Sequence, residues 1–482
     1  MVSARTAIFA AAVAAASVQA KIHPRLLREM AANDGAVGQS VVVEFVSSVE
    51  SALEKADSQI EAIQSRGAKI ESILTTLNTH AATSQAEALA VIDQARTSRE
   101  LTSDFSAQTL SIANILVLDG ASKPLLDKLA TVASVKAIRP QYFGKLVKAT
   151  PDAIVAANAT VEWGVERIGT KTLWDQGFRG KGIVVGGIDT GVRGTHEALK
   201  GNWRAENGYF QPKGNGKLPT DQNGHGTHTM GTSVGQFGVG VAPDAKWISC
   251  EGCLPDDTCP EKVLVACAQY MLCPHDFEGK NPKCELAPHV INNSWGDDDE
   301  IPDVPYYKGP VAAWRKAGII PVFANANSGP KCGSVLSPGD YPNVIGVGAT
   351  TITEELASFS SRGPTNKTQI LKPDVSAPGR TVRSAYNKGD DAYASLSGTS
   401  MATPHVVGAV ALLISAKPGI TYDEIYKALT TTAVRDTLKS SNQTCGGIPD
   451  TIFPNNNFGY GRIDVAKAAG AAPTPTTTRP AC

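Results

Sequence analysis

Three short segments place polar residues where a hydrophobic core alone would not choose them. Asp189-Thr190-Gly191 closes the apolar run 182–188. A carboxylate at the carboxyl edge of a parallel strand stands where open α/β sheets put ligands and catalytic groups. Residues 223–232 (NGHGTHTMGT) set His225 between two glycines as a helix begins, and glycine lets another backbone come close to the imidazole. Residues 397–405 (SGTSMATPH) open an apolar helix, with Ser400 in the positive potential and unpaired N–H groups of its first turn. Each segment alone has an ordinary explanation. Asp189 would be a turn or cap residue and Ser400 an N-cap. His225 and His228 would be a metal pair, but no acidic third ligand stands at helical spacing. Together they form a nucleophilic set. Ser400 attacks an acyl carbon, His225 takes its proton, and Asp189 fixes the histidine tautomer and stabilises the imidazolium. Asn327, within 323–329 just past another apolar run, supplies a side-chain N–H beside the Ser400 amide for a developing oxyanion.

The elements that must carry these residues are legible in the hydrophobic pattern. From about residue 160 apolar strands alternate with helices, the pattern of a parallel, doubly wound sheet. Strands are expected over 182–188, 290–294, 318–324 and 344–348, and helices over 311–317, 405–416 and 422–429. Residues 21–150 differ: rich in Ala, Ser and Lys, poor in aromatics, and without cysteine. A strand at 41–45 precedes a helix from 51 to about 77, marked by Leu53, Ile60, Ile63, Ile70, Ile73, Leu74 and Leu77. A second helix near 85–95, a strand at 115–118, a helix at 123–132 and a strand at 135–138 complete a small α+β unit with a helical insert.

Composition narrows the class. Forty-five Lys+Arg against 46 Asp+Glu in 482 residues leave a net charge of −1, with no electrostatic footprint for nucleic acid and no polybasic membrane anchor. At 42% hydrophobic and 19% charged, with 45 Gly and 29 Pro, collagen-like, coiled-coil and wholly disordered chains are excluded. Arg5, the apolar run 7–18 and Val18-Gln19-Ala20 read as a secretory signal over residues 1–20, too short to span a bilayer. No later uninterrupted apolar stretch reaches about 18 residues, so no transmembrane helix is expected. In an exported protein the nine cysteines (250, 253, 259, 267, 273, 284, 332, 445 and 482) should pair, leaving Cys482 as the odd one. Cys250 and Cys253, with His275 nearby, repeat no zinc-ribbon or zinc-finger spacing. Residues 473–480 (PTPTTTRP) cannot pack and suit O-glycosylation. Asn158, Asn366 and Asn442 head glycosylation sequons.

At these motifs the sequence resembles the subtilisin family of serine proteases, whose triad runs in the order Asp, His, Ser. The likeness takes in 163–169, 187–192, 223–232, 240–243, 293–296, 323–329, 371–379 and 397–405, in family order over about two-thirds of the chain. Within the family, 223–232 and 338–342 (PGDYP) are most similar to the bacillopeptidase F group. The resemblance implies a secreted serine endopeptidase working through an acyl-enzyme, with Ser400 as nucleophile, His225 as general base and then acid, Asp189 as orienter, and Asn327 with the Ser400 amide as oxyanion hole. It implies a doubly wound, mostly parallel α/β sheet with helices on both faces over 151–470, followed by a tail over 471–482. Residues 21–150 would be a βαββαβ propeptide that templates folding, inhibits the enzyme, and is cut off by it somewhere in 147–158. Ser294, Trp295 and Gly296 would pair with the substrate backbone and, with Ala324, Asn325 and Ala326, wall the S1 pocket. Leu336 falls where broad-pocket subtilisins have glycine, so medium apolar P1 residues should beat aromatic ones.

Other implications concern partners and departures from the family. The chemistry needs no cofactor, and the metal content is left open: structural calcium is usual, but the loop 233–239 is shorter than the one that binds it tightly in subtilisins. Residues 248–286 are a Cys-rich insert, expected as a surface loop stapled by disulfides. The acidic run 297–300 beside the cleft would attract cationic side chains. Asn292 fits a sequon but belongs to the substrate strand and should be bare. Expected partners are protein and peptide substrates and the chain's own propeptide as intramolecular inhibitor, with no nucleic acid, no membrane and a monomeric state. An esterase is the rival within acyl transfer, but Gly398-Thr-Ser-Met-Ala402 falls short of G-x-S-x-G and the triad order is wrong. A binding protein on a dead scaffold would not be expected to keep all four catalytic residues.

Overall fold

The computed structural model describes residues 20–32, 40–147, 150–155, 160–214, 216–297, 305–366 and 368–471. Residues 1–19 of the expected signal segment, Asn158, residues 298–300 of the acidic run and the Pro/Thr stretch with Cys482 lie outside the described residues. The chain divides into two compact units, Met1–Tyr142 and Phe143–Cys482, ahead of the expected boundary at residue 150.

In the first unit strands and helices follow the order βαββαβ, with further helices in the first connection and one before the first strand. Strand Val41–Phe45 is buried and lies between Ile115–Asp119 and Val135–Pro140, antiparallel to both. Helix Lys123–Thr131 and the later turns of a long helix, at Ala88, Ile92 and Ala95, close the same apolar core. Two expectations change here. The helix expected over 51–77 is broken into Val49–Lys55, Asp57–Glu61 and the start of Arg66–Thr97. That third helix then runs straight through 78–84, a polar stretch expected to separate two helices. Ser84 and buried Gln85 both donate to Asn114 Oδ1 at 3.0 Å, and Gln85 accepts from the Thr109 hydroxyl at 2.9 Å, so tertiary contacts override weak propensity. Ser106–Leu110, an edge strand with mostly exposed or half-buried polar residues, carried no apolar signal.

The second unit is built on seven parallel strands in the spatial order 375–378, 345–350, 320–324, 290–293, 184–189, 246–251, 209–210. The strands are almost continuously apolar, as a sheet covered on both faces requires. A Cβ on Gly187 would come within 2.8 Å of Met230 in helix His225–Val234, and one on Gly186 within 2.7 Å of Met271 in helix Glu261–Leu272. Successive strand residues face opposite sides, so these helices cover the two faces. Helix Thr399–Ala416 is long and apolar enough to cross a membrane by length and composition, yet it is mostly buried within the core. The segment 248–286 is not a surface loop. Its first residues lie in sheet strand Lys246–Glu251, and Val263, Leu264, Val265, Ala268, Met271 and Leu272 form the buried side of a sheet-covering helix. Cys250–Cys267 ties that helix to the strand, while Cys253–Cys259 and Cys273–Cys284 close the loops at its ends.

Chain direction fixes where a site can form. From strand Val184–Asp189 the chain builds through Lys246–Glu251 on one side, then returns to Val290–Asn293 on the other. Open α/β sheets bind ligands at such a reversal, beyond the carboxyl ends of the strands. Asp189 and Ser294 stand there.

Candidate active site

Asp189 ends its strand almost wholly buried, 2% exposed. Its Oδ1 takes the Nδ1–H of His225 at 2.7 Å and the backbone N–H of Thr190 at 2.8 Å, and its Oδ2 takes the Thr229 hydroxyl at 3.1 Å. His225 is the first residue of its helix, and the glycine after it is obligatory. A Cβ on Gly226 would meet the Gly191 carbonyl oxygen at 2.0 Å. Burial alone would lower the His225 pKa; Asp189, with Asp221 and Asp257 adding their charge, outweighs it and raises the pKa. His225 Nε2 is buried and carries no hydrogen bond.

Ser400 lies in the first turn of helix Thr399–Ala416, fully buried, where backbone N–H groups have no intrahelical acceptor. Its Oγ donates to the carbonyl oxygen of Val147 at 2.8 Å and lies 3.3 Å from that of Ser294. Asn327, just beyond strand Ile320–Ala324, accepts on its Oδ1 the backbone N–H and the hydroxyl of Thr399, each at 2.9 Å.

Val147 follows a strand, Phe143–Leu146, that lies antiparallel between Thr258–Pro260 and Trp295–Gly296. Leu146 donates its N–H to Asp257 O at 2.9 Å, and Val147 its N–H to Ser294 O at 3.3 Å. The Val147 side chain, 5% exposed, packs with Ala324, Ala326 and half-buried Leu336. Ser294 and Gly296 thus face the strand with backbone. Trp295 turns its ring inward against Tyr307 and Phe323, and Asn325 turns its amide to Ser361 O at 2.9 Å, so neither side chain reaches Val147.

The remaining polar residues have structural posts. His228 bonds through Nε2 to Val382 O and Ala394 O at 3.0 and 3.1 Å, and burial, then the neighbouring His225, pushes its pKa to about 3. His405 bonds to Met401 O at 2.8 Å, and burial brings it to about 4. Asp297 is 4% exposed and accepts from the Tyr306 hydroxyl at 3.0 Å, so this first residue of the acidic run is turned into the protein rather than toward a substrate. Sequence reasoning missed Asp221. Its carboxylate receives the N–H groups of Asn223, Gly224 and Thr227 and the hydroxyls of Thr190 and Thr227, pinning the loop that presents His225. An aspartate ahead of a Gln-Asn-Gly turn at a helix start was the available signal.

Comparison with known proteins agrees with this geometry. The model of the subtilase family matches residues 180–461, more than half of the chain. Bacillopeptidase F of Bacillus subtilis (strain 168) is 35% identical over 385 residues, 73% of this chain but 25% of that protein, so the chain spans about a quarter of that relative's length. Subtilisin Savinase of Lederbergia lenta is 32% identical over 296 residues, which make up 60% of this chain and 96% of the relative. Serine protease AprX of Bacillus subtilis (strain 168) is 31% identical over 322 residues, 61% of this chain and 68% of its own. On the sheet order, the placement of Asp189, His225 and Ser400, and these matches, the chain belongs to the subtilase family.

Proposed function

We propose that the chain is a secreted serine endopeptidase made as a precursor, with Asp189, His225 and Ser400 as its triad. One joint placement carries the reading: a carboxylate on His225 Nδ1 at 2.7 Å, and a peptide carbonyl on Ser400 Oγ at 2.8 Å. With Nδ1–H held by Asp189, the lone pair of His225 rests on Nε2, the atom that takes the Ser400 proton and later returns it to the leaving nitrogen. The raised His225 pKa favours the imidazolium formed in between. The oxyanion is held by the Ser400 N–H and by Asn327 Nδ2, which faces away from Thr399 because Oδ1 is occupied there. Substrate adds as a strand beside Trp295–Gly296, main chain giving affinity and the Ala324–Ala326–Leu336 pocket giving choice.

In this reading the first unit, with its βαββαβ order, is the propeptide, and the strand Phe143–Leu146 that follows it holds the cleft shut. The four disulfides among the described residues suit an oxidising compartment, in line with export. Exposed Asn366 and Asn442 carry glycans, whereas Asn292, 2% exposed in its strand, does not. The loop 233–239 contains no carboxylate and closes on itself through Gly240 N–H to Gly235 O at 3.0 Å, so it does not fit a tight calcium site.

The test is cleavage of a denatured protein by the purified enzyme. Internal fragments should appear with wild type and disappear with His225→Ala, while Asn442→Gln, remote from the site, should cut as before. Fragments undiminished in His225→Ala would refute the assignment.

A further inference from the structure

The strand that fills the cleft belongs to the same chain, and its position singles out one peptide bond. Gly144 is paired with Cys259, Lys145 with both Thr258 and Gly296, and Leu146 with Trp295. The fit is close: a Cβ on Gly144 would stand 3.1 Å from Gly296 O and 3.5 Å from Cys259 O. Beyond the nucleophile the chain is paired again. Thr150–Val155 runs antiparallel to Tyr393–Ser397, with Thr150 opposite Ser397, on the strand that leads straight into Gly398, Thr399 and Ser400. The polypeptide is therefore held by backbone pairing on both sides of Ser400. Between the two pairings, the residue on Ser400 Oγ is Val147, its carbonyl at 2.8 Å, its N–H on Ser294 O, and its side chain buried against Ala324, Ala326 and Leu336.

We infer that the protein cuts itself at the peptide bond on the carboxyl side of Val147, and that the pocket so engaged is matched to a β-branched aliphatic residue. This rests on the reading of Ser400 as nucleophile. The Ser400 Oγ–H adds to the Val147 carbonyl carbon and its proton passes to His225 Nε2. The carbon–nitrogen bond breaks, and the nitrogen of residue 148 takes that proton and becomes a new amino terminus. Water then hydrolyses the Val147 ester, freeing the Val147 carboxylate and restoring Ser400. The pocket favours valine because its walls are methyl groups and an isobutyl side chain. A charge there would be buried without a partner.

Two experiments decide this. The full chain, expressed in a protease-deficient host, should release an N-terminal fragment whose mass places its last residue at Val147, and Ser400→Ala should stay uncut. A synthetic peptide of residues 143–152, FGKLVKATPD, should be cut by the mature enzyme once, after Val147. Replacing that valine by aspartate in the peptide should lower kcat/KM by about 100-fold or more, whereas isoleucine should be tolerated. The peptide arm does not depend on folding of a variant. A fragment ending elsewhere, with Ser400→Ala still uncut, would overturn the bond assignment and leave the nucleophile standing. Normal processing of Ser400→Ala would overturn self-cleavage. Failure to cut any peptide, with no phenotype in Ser400→Ala, would overturn the underlying reading instead.

Discussion

Thr399 donates both its backbone N–H and its hydroxyl to Oδ1 of Asn327, each at 2.9 Å. Two donors on one atom fix it as the amide oxygen and turn the N–H pair the other way. In the proposed mechanism, the residue beside Ser400 thus aims the oxyanion donor. Asn327→Ala should lower kcat by about 10²–10³-fold with little change in KM, a size of effect already known from subtilisin itself. Thr399→Val removes one of the two bonds and should cost roughly 5–10-fold in kcat, the net loss of about one hydrogen bond. Steady-state kinetics on one peptide amide checks both. A change confined to KM would contradict the role.

Leu336 lies with Ala324 and Ala326 against the Val147 side chain, and in the proposed mechanism it limits the depth of the P1 pocket. Seating a large ring there would force strain of about 1–3 kcal/mol. Peptides differing only at P1 should show Val, Leu or Met preferred over Phe and Tyr by roughly 10–200-fold. Leu336→Gly should shift the preference toward the aromatic residues. An aromatic preference in wild type, unchanged in Leu336→Gly, would sink this idea.

The candidate triad was legible because reactive residue types and fold signals coincide in short segments. Asp189 ends an apolar strand, and His225 and Ser400 each begin a helix, so hydrophobic pattern and reactive group mark the same positions. What stayed hidden depends on partners distant in sequence. Val147 is an ordinary valine until strand pairing sets its carbonyl on Ser400. Asp221 shows its role only when five donors converge on it. The segment 248–286 read as a stapled loop because helix Glu261–Leu272 is buried along most of its length and so lacks the polar face that marks a helix in sequence. Ser106–Leu110 is polar because it lies at a sheet edge.

Acid should destabilise the fold mainly through two buried histidines, His228 and His405, with buried His196, also lowered by burial, adding in the same direction. Burial holds His228 at about 3 and His405 at about 4, while the unfolded chain protonates near 6.5. As pH falls below about 6.5 the unfolded state gains protons that the folded state refuses, so stability present above that pH is lost on the way down to about 4. His225 has the opposite sign. Its contribution is already complete below its ordinary value and does not offset the fall. Urea unfolding of Ser400→Ala, chosen to prevent autolysis, should lose about 1.4 kcal/mol per pH unit per histidine between pH 6 and 5. His405→Gln should remove one such increment from the slope. An unchanged slope would contradict the buried neutral state of His405.

The disulfides should differ in what they contribute. Cys332–Cys445 closes a separation of 113 residues, Cys253–Cys259 one of 6. On loop-closure entropy, replacing the first pair by alanines should cost about 2.5 kcal/mol more than replacing the second. Urea unfolding of both double variants in the Ser400→Ala background measures the difference. Equal losses would mean that local packing, not the closed loop, sets the contribution.

Catalysis as proposed depends on Ser400 being the residue that His225 and Asp189 activate. The most direct measurement is labelling of the purified, processed enzyme with a fluorophosphonate, followed by peptide mapping. The expected result is a single adduct on Ser400, absent after heat denaturation and reduced at least 100-fold in rate in Asp189→Asn, as disruption of a triad carboxylate requires. An adduct on another residue, or labelling of Ser400 that survives heating or is unaffected by Asp189→Asn, would contradict it.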